Sequence, residues 1–141
     1  MLNIENLTTT KINSKLLEKI ANSLTQRDIE LTMCDNILIQ QYNYKYRGIN
    51  KITDVLSFPL DGEFDMMPIG SIVISIDKVK EKSMELGHNN SDEVALLFIH
   101  GLLHLLGYDH EIDNGEMRAK EEEIITLFNL PKSLIIRVEE N

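Results

Sequence analysis

The sequence predicts an α+β fold, and three observations lead to that class. Short segments rich in apolar and β-branched residues stop at turn residues, which is typical of strands. Other segments carry apolar residues at helical spacing and stop at glycine or proline. One of these helical segments is apolar almost all round, so it belongs in the core. Segregated strands and helices of this kind favour the α+β class.

The first predicted strand is Ile29–Cys34, which is apolar and β-branched and runs into a turn pair. A helix capped by Asn36 then continues without glycine or proline to Gly48, a typical helix stop. Lys45 and Arg47 lie in its last turn, where cations are favoured. The aromatic residues of this segment would also suit a strand.

The second predicted strand, Asp54–Phe58, is short and mostly apolar and stops at Pro59. Residues 61–68 follow as a turn or loop. From Gly70, serine alternates with isoleucine or valine, which predicts a third strand that passes into a helix ending at Gly87. The apolar positions at helical spacing in that helix are Val79, Met84 and Leu86.

The next helix is the clearest element of the sequence. Asn90 and Glu93 stand three residues apart, as in a capping box, and Gly107 marks the end of the helix. A final helix runs from about Asn114 to Asn129, before Pro131. Its apolar positions are Met117, Ile124, Ile125 and Leu127.

Length and composition indicate one domain over residues 1–141. Hydrophobic residues make up 43% of the chain, enough for a real core, and we find no repeat, linker or low-complexity segment. The chain lacks a signal-peptide pattern and an apolar run of about eighteen residues, so we expect a cytoplasmic protein with no membrane contact. Cys34, the single cysteine, is flanked by apolar residues and is expected to be a buried reduced thiol.

The net charge of -9 argues against broad electrostatic binding to nucleic acid, which normally requires a surplus of cations. Any RNA contact must therefore be local. Two groups of cations could provide it, although an ordinary solvated face is at least as good an interpretation of the second. The first group is Lys45, Arg47 and Lys51, and the second is Lys78, Lys80 and Lys82.

Three of the four histidines lie within eleven residues, and their spacing suits a metal ion. His100 and His104 are four residues apart on a helix, so they share one face, about 6 Å apart along the axis. Gly107 can adopt a left-handed conformation, which would turn the chain and bring His110 toward the other two. Neutral imidazoles on an apolar helix need polar partners, and metal coordination provides them. We therefore predict one Zn²⁺ bound by His100, His104 and His110.

Three protein ligands leave a fourth zinc position open, which is typical of catalytic sites and predicts a hydrolase. The spacing has the zincin outline, yet the glutamate base of metalloproteases is replaced by Gly101. Peptide hydrolysis depends on that base to protonate a poor leaving group, so its absence favours a phosphodiester substrate.

Two further polar residues near this motif have open interpretations. Asp109 could orient a ligand imidazole or stabilise the turn after Gly107. His88 follows Gly87 in a polar stretch, and we expect it to lie in a solvent-exposed loop.

The stretch HGLLHLLGYDH, together with YNYKYRGINKITDVLSFP upstream, resembles the YbeY family of bacterial endoribonucleases, also called rRNA maturation factors. The resemblance implies a small mixed β-sheet packed with helices, with a zincin-like helix that carries one zinc on His100, His104 and His110. It also implies single-strand-specific RNA cleavage, maturation of small-subunit ribosomal RNA, ribosome quality control, and contacts with the ribosome or its proteins.

The motif arginine of the family falls on Arg47, which predicts a catalytic role, because a guanidinium fork suits a phosphate that gains charge in the transition state. The alternative is a simple helix C-terminal cation. Asp54 and Ser57 also match the family, as substrate contacts or as strand-end hydrogen-bonding residues. Ser71 departs from the family, where an aspartate usually follows the glycine.

Two other functions remain open on the sequence alone. One is a non-catalytic ribosome-assembly factor in which zinc only stabilises the fold, with Asp109 as a possible fourth ligand. The other is a zinc peptidase or small-molecule hydrolase, which Gly101 disfavours.

Overall fold

The computed structural model describes residues 1–60, 67–132 and 134. Within these residues the chain forms four strands and five helices. They are β1 (Leu2–Asn6), α1 (Ser14–Leu24), β2 (Ile29–Cys34), α2 (Asn36–Arg47), β3 (Val55–Pro59), β4 (Gly70–Ser75), α3 (Ile76–Leu86), α4 (Asn90–Leu105) and α5 (Glu116–Leu127).

The four strands form one mixed sheet in the order β1-β2-β4-β3. Strand β2 pairs in parallel with both β1 and β4, whereas β3 pairs antiparallel with β4 and lies at an edge. Each parallel pairing requires a crossover connection, which α1 provides between β1 and β2. The predicted α+β class with a small mixed sheet is confirmed.

Helices cover the two faces of the sheet unequally. The larger cluster of buried apolar residues joins α1, α3, α4 and α5 to one face of the sheet. On the opposite face, helix α2 packs over a smaller cluster. That cluster contains Cys34, which is buried as predicted, and its burial raises the pKa of the thiol to about 12. The buried members of the smaller cluster are Cys34, Ile39, Leu56 and Val73.

Helix α4 is the core element that the apolar pattern predicted. Eleven of its residues are buried, and it packs on α1, α3, α5 and the β3–β4 pair. Over the described ranges, the chain contains no helix that is both long and apolar enough to span a bilayer.

Two helix caps differ from the predicted ones by one residue. Asp35, not Asn36, caps α2, since its Oδ1 accepts a hydrogen bond from the Leu38 amide at 2.9 Å. Asn89, not Asn90, caps α4, since its Oδ1 accepts from the Asp92 amide at 2.8 Å. Both errors arose because two adjacent residues of each pair can act as caps.

Strand Ile29–Cys34 and the helix stops at Gly48 and Gly87 are confirmed, and the latter two have positive φ. The strand predicted at Asp54–Phe58 is displaced by one residue, and Pro59 is its last member. Pro59 fits there because the strand lies at the edge of the sheet.

Three of the apolar residues at helical spacing are exposed rather than buried in the core. Met84 is 88% exposed, Leu127 is 63% exposed and Leu86 is 37% exposed. In α3 the buried positions are Ile76, Val79 and Ser83, and the Ser83 hydroxyl donates to the Asn89 carbonyl oxygen at 3.3 Å. The final helix is shorter than predicted at both ends. Of the predicted loop at 61–68, residues 61–66 lie outside the described residues.

Gly70 allows β3, β4 and α4 to meet. A Cβ atom there would lie 2.5 Å from the carbonyl oxygen of Phe58 and 2.7 Å from Cδ2 of Leu105. We expect Gly70→Ala to lower the free energy of unfolding by roughly 1–3 kcal/mol, because the strand and helix must move apart. Urea denaturation checks this, with Ser71→Ala on the same strand as the control. Equal stability of the two variants would contradict the packing described here.

Candidate metal centre

His100 and His104 lie on the last turns of α4 and face each other. Their ring centroids are 4.6 Å apart, and their Nε2 atoms are 3.1 Å apart. This is the arrangement expected for residues four apart on one helix face.

The turn after α4 brings His110 to the same point, as the sequence predicted. Gly107 has φ 99°, and the Tyr108 amide donates to the Leu103 carbonyl oxygen at 3.0 Å, which closes the helix end. The His110 ring centroid lies 5.6 Å from that of His100 and 5.9 Å from that of His104. One candidate ligand atom from each of the three residues lies within 4.8 Å of the others.

The hydrogen bonds of the outer ring nitrogens define the protonation of two imidazoles. His100 Nδ1 is 3.1 Å from Glu121 Oε1, and His104 Nδ1 is 3.0 Å from the Tyr108 carbonyl oxygen. A carboxylate and a carbonyl can only accept, so both Nδ1 atoms donate. The neutral rings then have two Nε2 lone pairs facing each other at 3.1 Å. A cation between them removes this repulsion, and the outer acceptors are those that orient metal-binding histidines.

His110 also has a ring nitrogen that lacks a partner among the described residues. Its Nδ1 is buried and has no hydrogen-bond partner in the part of the chain that the structure describes. Buried polar atoms are nearly always paired, so this ring requires a further partner. The donor set of three imidazoles suits zinc, and the three residues therefore fit a metal ion.

His104 is held in the neutral form that a metal requires. Burial lowers its pKa below the ordinary value, and the neighbouring His100 acts in the same direction. The Tyr108 carbonyl opposes the shift by stabilising the charged ring. A neutral imidazole near pH 7 binds a metal without first losing a proton.

Arg47 lies in the same cleft as the histidines. A cleft of about 550 Å³ is lined by Arg47 together with His100 and His104. The side chain stands at the end of α2, where Gly48 at φ 69° ends the helix, and it is exposed to solvent. The sequence therefore placed Arg47 correctly beside the candidate metal centre, and its catalytic role stays a prediction.

Asp54 and Ser57 line this cleft as well, and both also form structural hydrogen bonds. Asp54 Oδ1 accepts from the Val55 amide at 2.8 Å, at the start of β3. Ser57 donates to the Gly101 carbonyl oxygen at 3.0 Å, which ties β3 to α4. The strand-end role is thus present for Asp54, whereas Ser57 lies in the middle of β3 and bonds to α4.

The glycine at the protease-base position has a packing role. A Cβ atom on Gly101 would lie 3.0 Å from both Ile72 Cγ2 and Ser57 Oγ. The 101 position therefore faces the sheet, and a glutamate there would push α4 away from β3 and β4.

Asp109 stabilises the turn. Its Oδ1 accepts from the Glu111 amide at 3.0 Å, and it is not part of the cluster of possible metal-binding side chains found within the described residues. Ser71 lines a different cavity on the α2 face of the sheet, so the departure from the family pattern does not touch the histidine cleft.

His88 lies in the loop between α3 and α4 as predicted, but the expected solvent exposure of its side chain was wrong. Its side chain is 3% exposed, and Nε2 is 2.9 Å from Oε2 of Glu93, which is fully buried. The pair lies at the N-terminal end of α4, at the far end of the helix from the other histidines. The sequence analysis assigned Glu93 to a capping box. A capping glutamate and a buried partner of His88 would both lie in the first turn of α4, so the sequence pattern does not distinguish these two roles.

Glu121 was missed by the sequence analysis. It is 3% exposed and lies on α5 between the buried residues Met117 and Ile124. The sequence did contain a signal for it, since Glu121 lies within the apolar stripe of a helix. A buried charge without a partner is energetically costly, so such a carboxylate indicates a buried polar contact.

The fold and the site define a small α+β protein with a three-histidine candidate metal centre, an arrangement typical of metallohydrolases. The chain belongs to the YbeY family: the family model, described as endoribonuclease YbeY, matches residues 2–129. The predicted resemblance is thereby confirmed.

Two relatives match almost the whole chain. Endoribonuclease YbeY of Wolinella succinogenes is 54% identical over 140 residues, covering 99% of both chains. Endoribonuclease YbeY of Aliarcobacter butzleri is 58% identical and covers 97% of this chain and 99% of its own. The solution structure of TM1509 from Thermotoga maritima has a TM-score of 0.62 at 26% identity and covers all of this chain and 93% of that one.

Replacing Glu121 by glutamine tests whether its carboxylate orients His100. We expect Glu121→Gln to bind zinc about ten-fold more weakly, because the amide is a poorer acceptor for the Nδ1 proton. Competition with a chromogenic chelator measures the affinity. Glu123→Gln, which changes an exposed carboxylate one half-turn further along α5, should bind zinc like the parent chain. Equal affinities for all three proteins would contradict an orienting role.

The lowered pKa of His104 predicts a titration in the metal-free protein. As pH falls, the His104 ring should protonate at a pH below the usual imidazole value of about 6.5. An NMR titration of the ring protons measures the midpoint, and His104→Ala identifies the resonance. A midpoint at or above 6.5 would mean that burial does not control this ring.

Proposed function

We propose that this chain is a zinc-dependent endoribonuclease that cleaves single-stranded RNA. We also propose that it acts on small-subunit ribosomal RNA in the cytoplasm, in maturation and in ribosome quality control. The observation that carries the first proposal is the pair of Nε2 atoms of His100 and His104, 3.1 Å apart, in a cleft that Arg47 also lines. The descriptions of the relatives support RNA as the substrate class, and we propose that residues 1–141 form one domain, since these relatives cover 99% and 97% of this chain.

His100, His104 and His110 would hold one zinc ion per chain. When bound at three protein ligands, zinc acts as a Lewis acid and lowers the pKa of a water molecule to about 7. Glu121 and the Tyr108 carbonyl would fix the two imidazoles by holding their Nδ1 protons.

Arg47 would bind the scissile phosphate. Its guanidinium presents two parallel donors to phosphate oxygens and stabilises the negative charge that grows on them during cleavage. Because Arg47 lines one cleft with His100 and His104, a phosphate there can contact both the guanidinium and the metal-binding side. Gly101 stands at the position of the metalloprotease glutamate and packs against the sheet, so that particular base is absent.

The charge distribution supports an RNA contact near Arg47 rather than on α3. Lys78 and Lys82 form ion pairs with Glu81 and Glu85, each at 3.4 Å, so the cations of α3 are partly neutralised. The net charge of -9 favours a substrate that is presented together with basic partners. We therefore include contacts with the ribosome or ribosomal proteins in the proposal.

The experiment measures zinc content and RNA cleavage in the same preparations. The parent chain should contain about one zinc ion and cleave a single-stranded RNA but not the corresponding duplex, whereas His104→Ala should lose both zinc and cleavage. Circular dichroism checks that the variant is folded.

Arg47→Ala should retain zinc and lose roughly 100-fold in cleavage rate, because one transition-state donor is removed. Arg47→Lys keeps the charge but not the fork, and should recover only part of the rate. Lys78→Ala, which removes a cation on α3, should cleave like the parent chain.

The other outcomes distinguish the alternative functions. Stoichiometric zinc without cleavage of RNA or peptides would favour the non-catalytic assembly factor. Cleavage of a peptide library without action on RNA would favour the peptidase. A chain purified without any metal, and unable to take up zinc, would overturn the proposal.

A further inference from the structure

A second cavity lies on the α2 face of the sheet, away from the histidines. It has a volume of about 380 Å³ and opens between α2 and the strands. Three aromatic rings line it, those of Tyr42, Tyr46 and Phe58, and we call it the aromatic pocket. The hydroxyl-bearing residues Thr32 and Ser71 also line it, and no ionisable carboxylate does so among the described residues.

The three rings of the aromatic pocket form a row rather than a closed core. The Tyr46 ring centroid is 6.0 Å from that of Tyr42, with the planes tilted by 33°, and 5.4 Å from that of Phe58. Tyr46 nevertheless remains 58% exposed. A large ring that contacts two others and still faces solvent offers a surface for another flat group.

Cations adjoin the aromatic pocket. The Lys45 ammonium lies 5.2 Å from the centroid of the Tyr46 ring, and Arg47 follows in the chain. Neither Lys45 nor Arg47 forms an ion pair with a carboxylate in the described ranges. In a chain of net charge -9, this is a local positive surface beside aromatic rings, which suits a polyanion that carries flat bases.

The aromatic pocket and the histidine cleft meet at the free edge of β3. Successive residues of a strand point to opposite faces, so Phe58 lines the aromatic pocket and its neighbour Pro59 lines the cleft. At the end of α2, Tyr46 likewise lines the aromatic pocket, and the next residue, Arg47, lines the cleft. A single strand that crosses this edge would contact both cavities.

We propose that the aromatic pocket binds a base of single-stranded RNA next to the phosphate held in the cleft. The base stacks on the Tyr46 ring, Lys45 binds the flanking phosphate, and the Thr32 and Ser71 hydroxyls can pair with base edges. This site deepens the proposed nuclease function and rests on it for the identity of the ligand. Stacking requires an unpaired base, so the site also gives a physical reason for a preference for single strands.

Fluorescence anisotropy of a short, labelled, single-stranded RNA of mixed sequence tests the site in the full-length protein without metal, so that no cleavage occurs. Tyr46→Ala should bind about ten-fold more weakly, because one base loses its stacking partner. Tyr46→Phe keeps the ring and should bind like the parent chain. Tyr44→Ala is the matched control, since Tyr44 is 62% exposed on the same helix and does not line the aromatic pocket.

Two further measurements separate stacking from charge. An oligonucleotide that is abasic at every position should bind Tyr46→Ala and the parent chain equally, because only phosphates remain to be contacted. The chain has four tyrosines and no tryptophan, so tyrosine fluorescence can be observed directly. RNA should quench it less in Tyr46→Phe than in the parent chain.

Failure of this site and failure of the proposed function give different results. RNA cleavage by the parent chain with unchanged RNA affinity in Tyr46→Ala would overturn the aromatic pocket alone, and would point to a protein contact there. Affinity that depends on Tyr46 in a chain that never cleaves RNA would support the pocket and overturn the nuclease. No measurable RNA binding by the parent chain would overturn the pocket.

Discussion

Close packing of α4 against β3 and β4 is the constraint on which the rest of the structure depends. Gly70 and Gly101 each leave space that a Cβ atom would fill, so the helix lies directly on the edge of the sheet. The Ser57 hydroxyl bonds the Gly101 carbonyl across this contact. As a result, the helix end that carries His100 and His104 lies beside β3, and the cleft between them is lined by both elements.

The same packing explains how this centre differs from a metalloprotease site with similar histidine spacing. In the zincin outline, the residue after the first histidine supplies a base, and here that position faces Ile72 in the sheet. The polar support of the imidazoles comes instead from a backbone carbonyl and from Glu121 on α5. Histidine spacing alone therefore does not specify the reaction, and the chemistry depends on what the helix packs against.

Much of the fold could be predicted because local patterns specify it. Strand β2, helix α2 and the apolar helix α4 have strong periodicity and clear stops, and Gly107 indicated the turn that brings His110 to the other histidines. Strand β1 and helix α1 were not predicted. Leu2–Asn6 has one buried residue in five, so its strand depends on pairing with β2, which no local pattern can show.

Tertiary packing explains why the partners of two histidines were missed. The partner of His100 lies 21 residues further along the chain, and His88, only five residues from Glu93, is buried against it at the start of α4. In both cases a polar group looks solvated in the sequence and becomes buried only when helices pack. Arg47 was singled out by the family motif, whereas the local pattern, a cation in the last turn before Gly48, predicted only the end of the helix.

The bond between Glu121 and His100 also bears on when the site is completed during synthesis. Helix α5 leaves the ribosome after the strands and after α4, and domains generally begin to fold from their N-terminal part as they are made. Until α5 docks, His100 lacks its acceptor, and its ring can rotate or change tautomer. A chain still being translated therefore holds a centre in which His100 is not yet oriented.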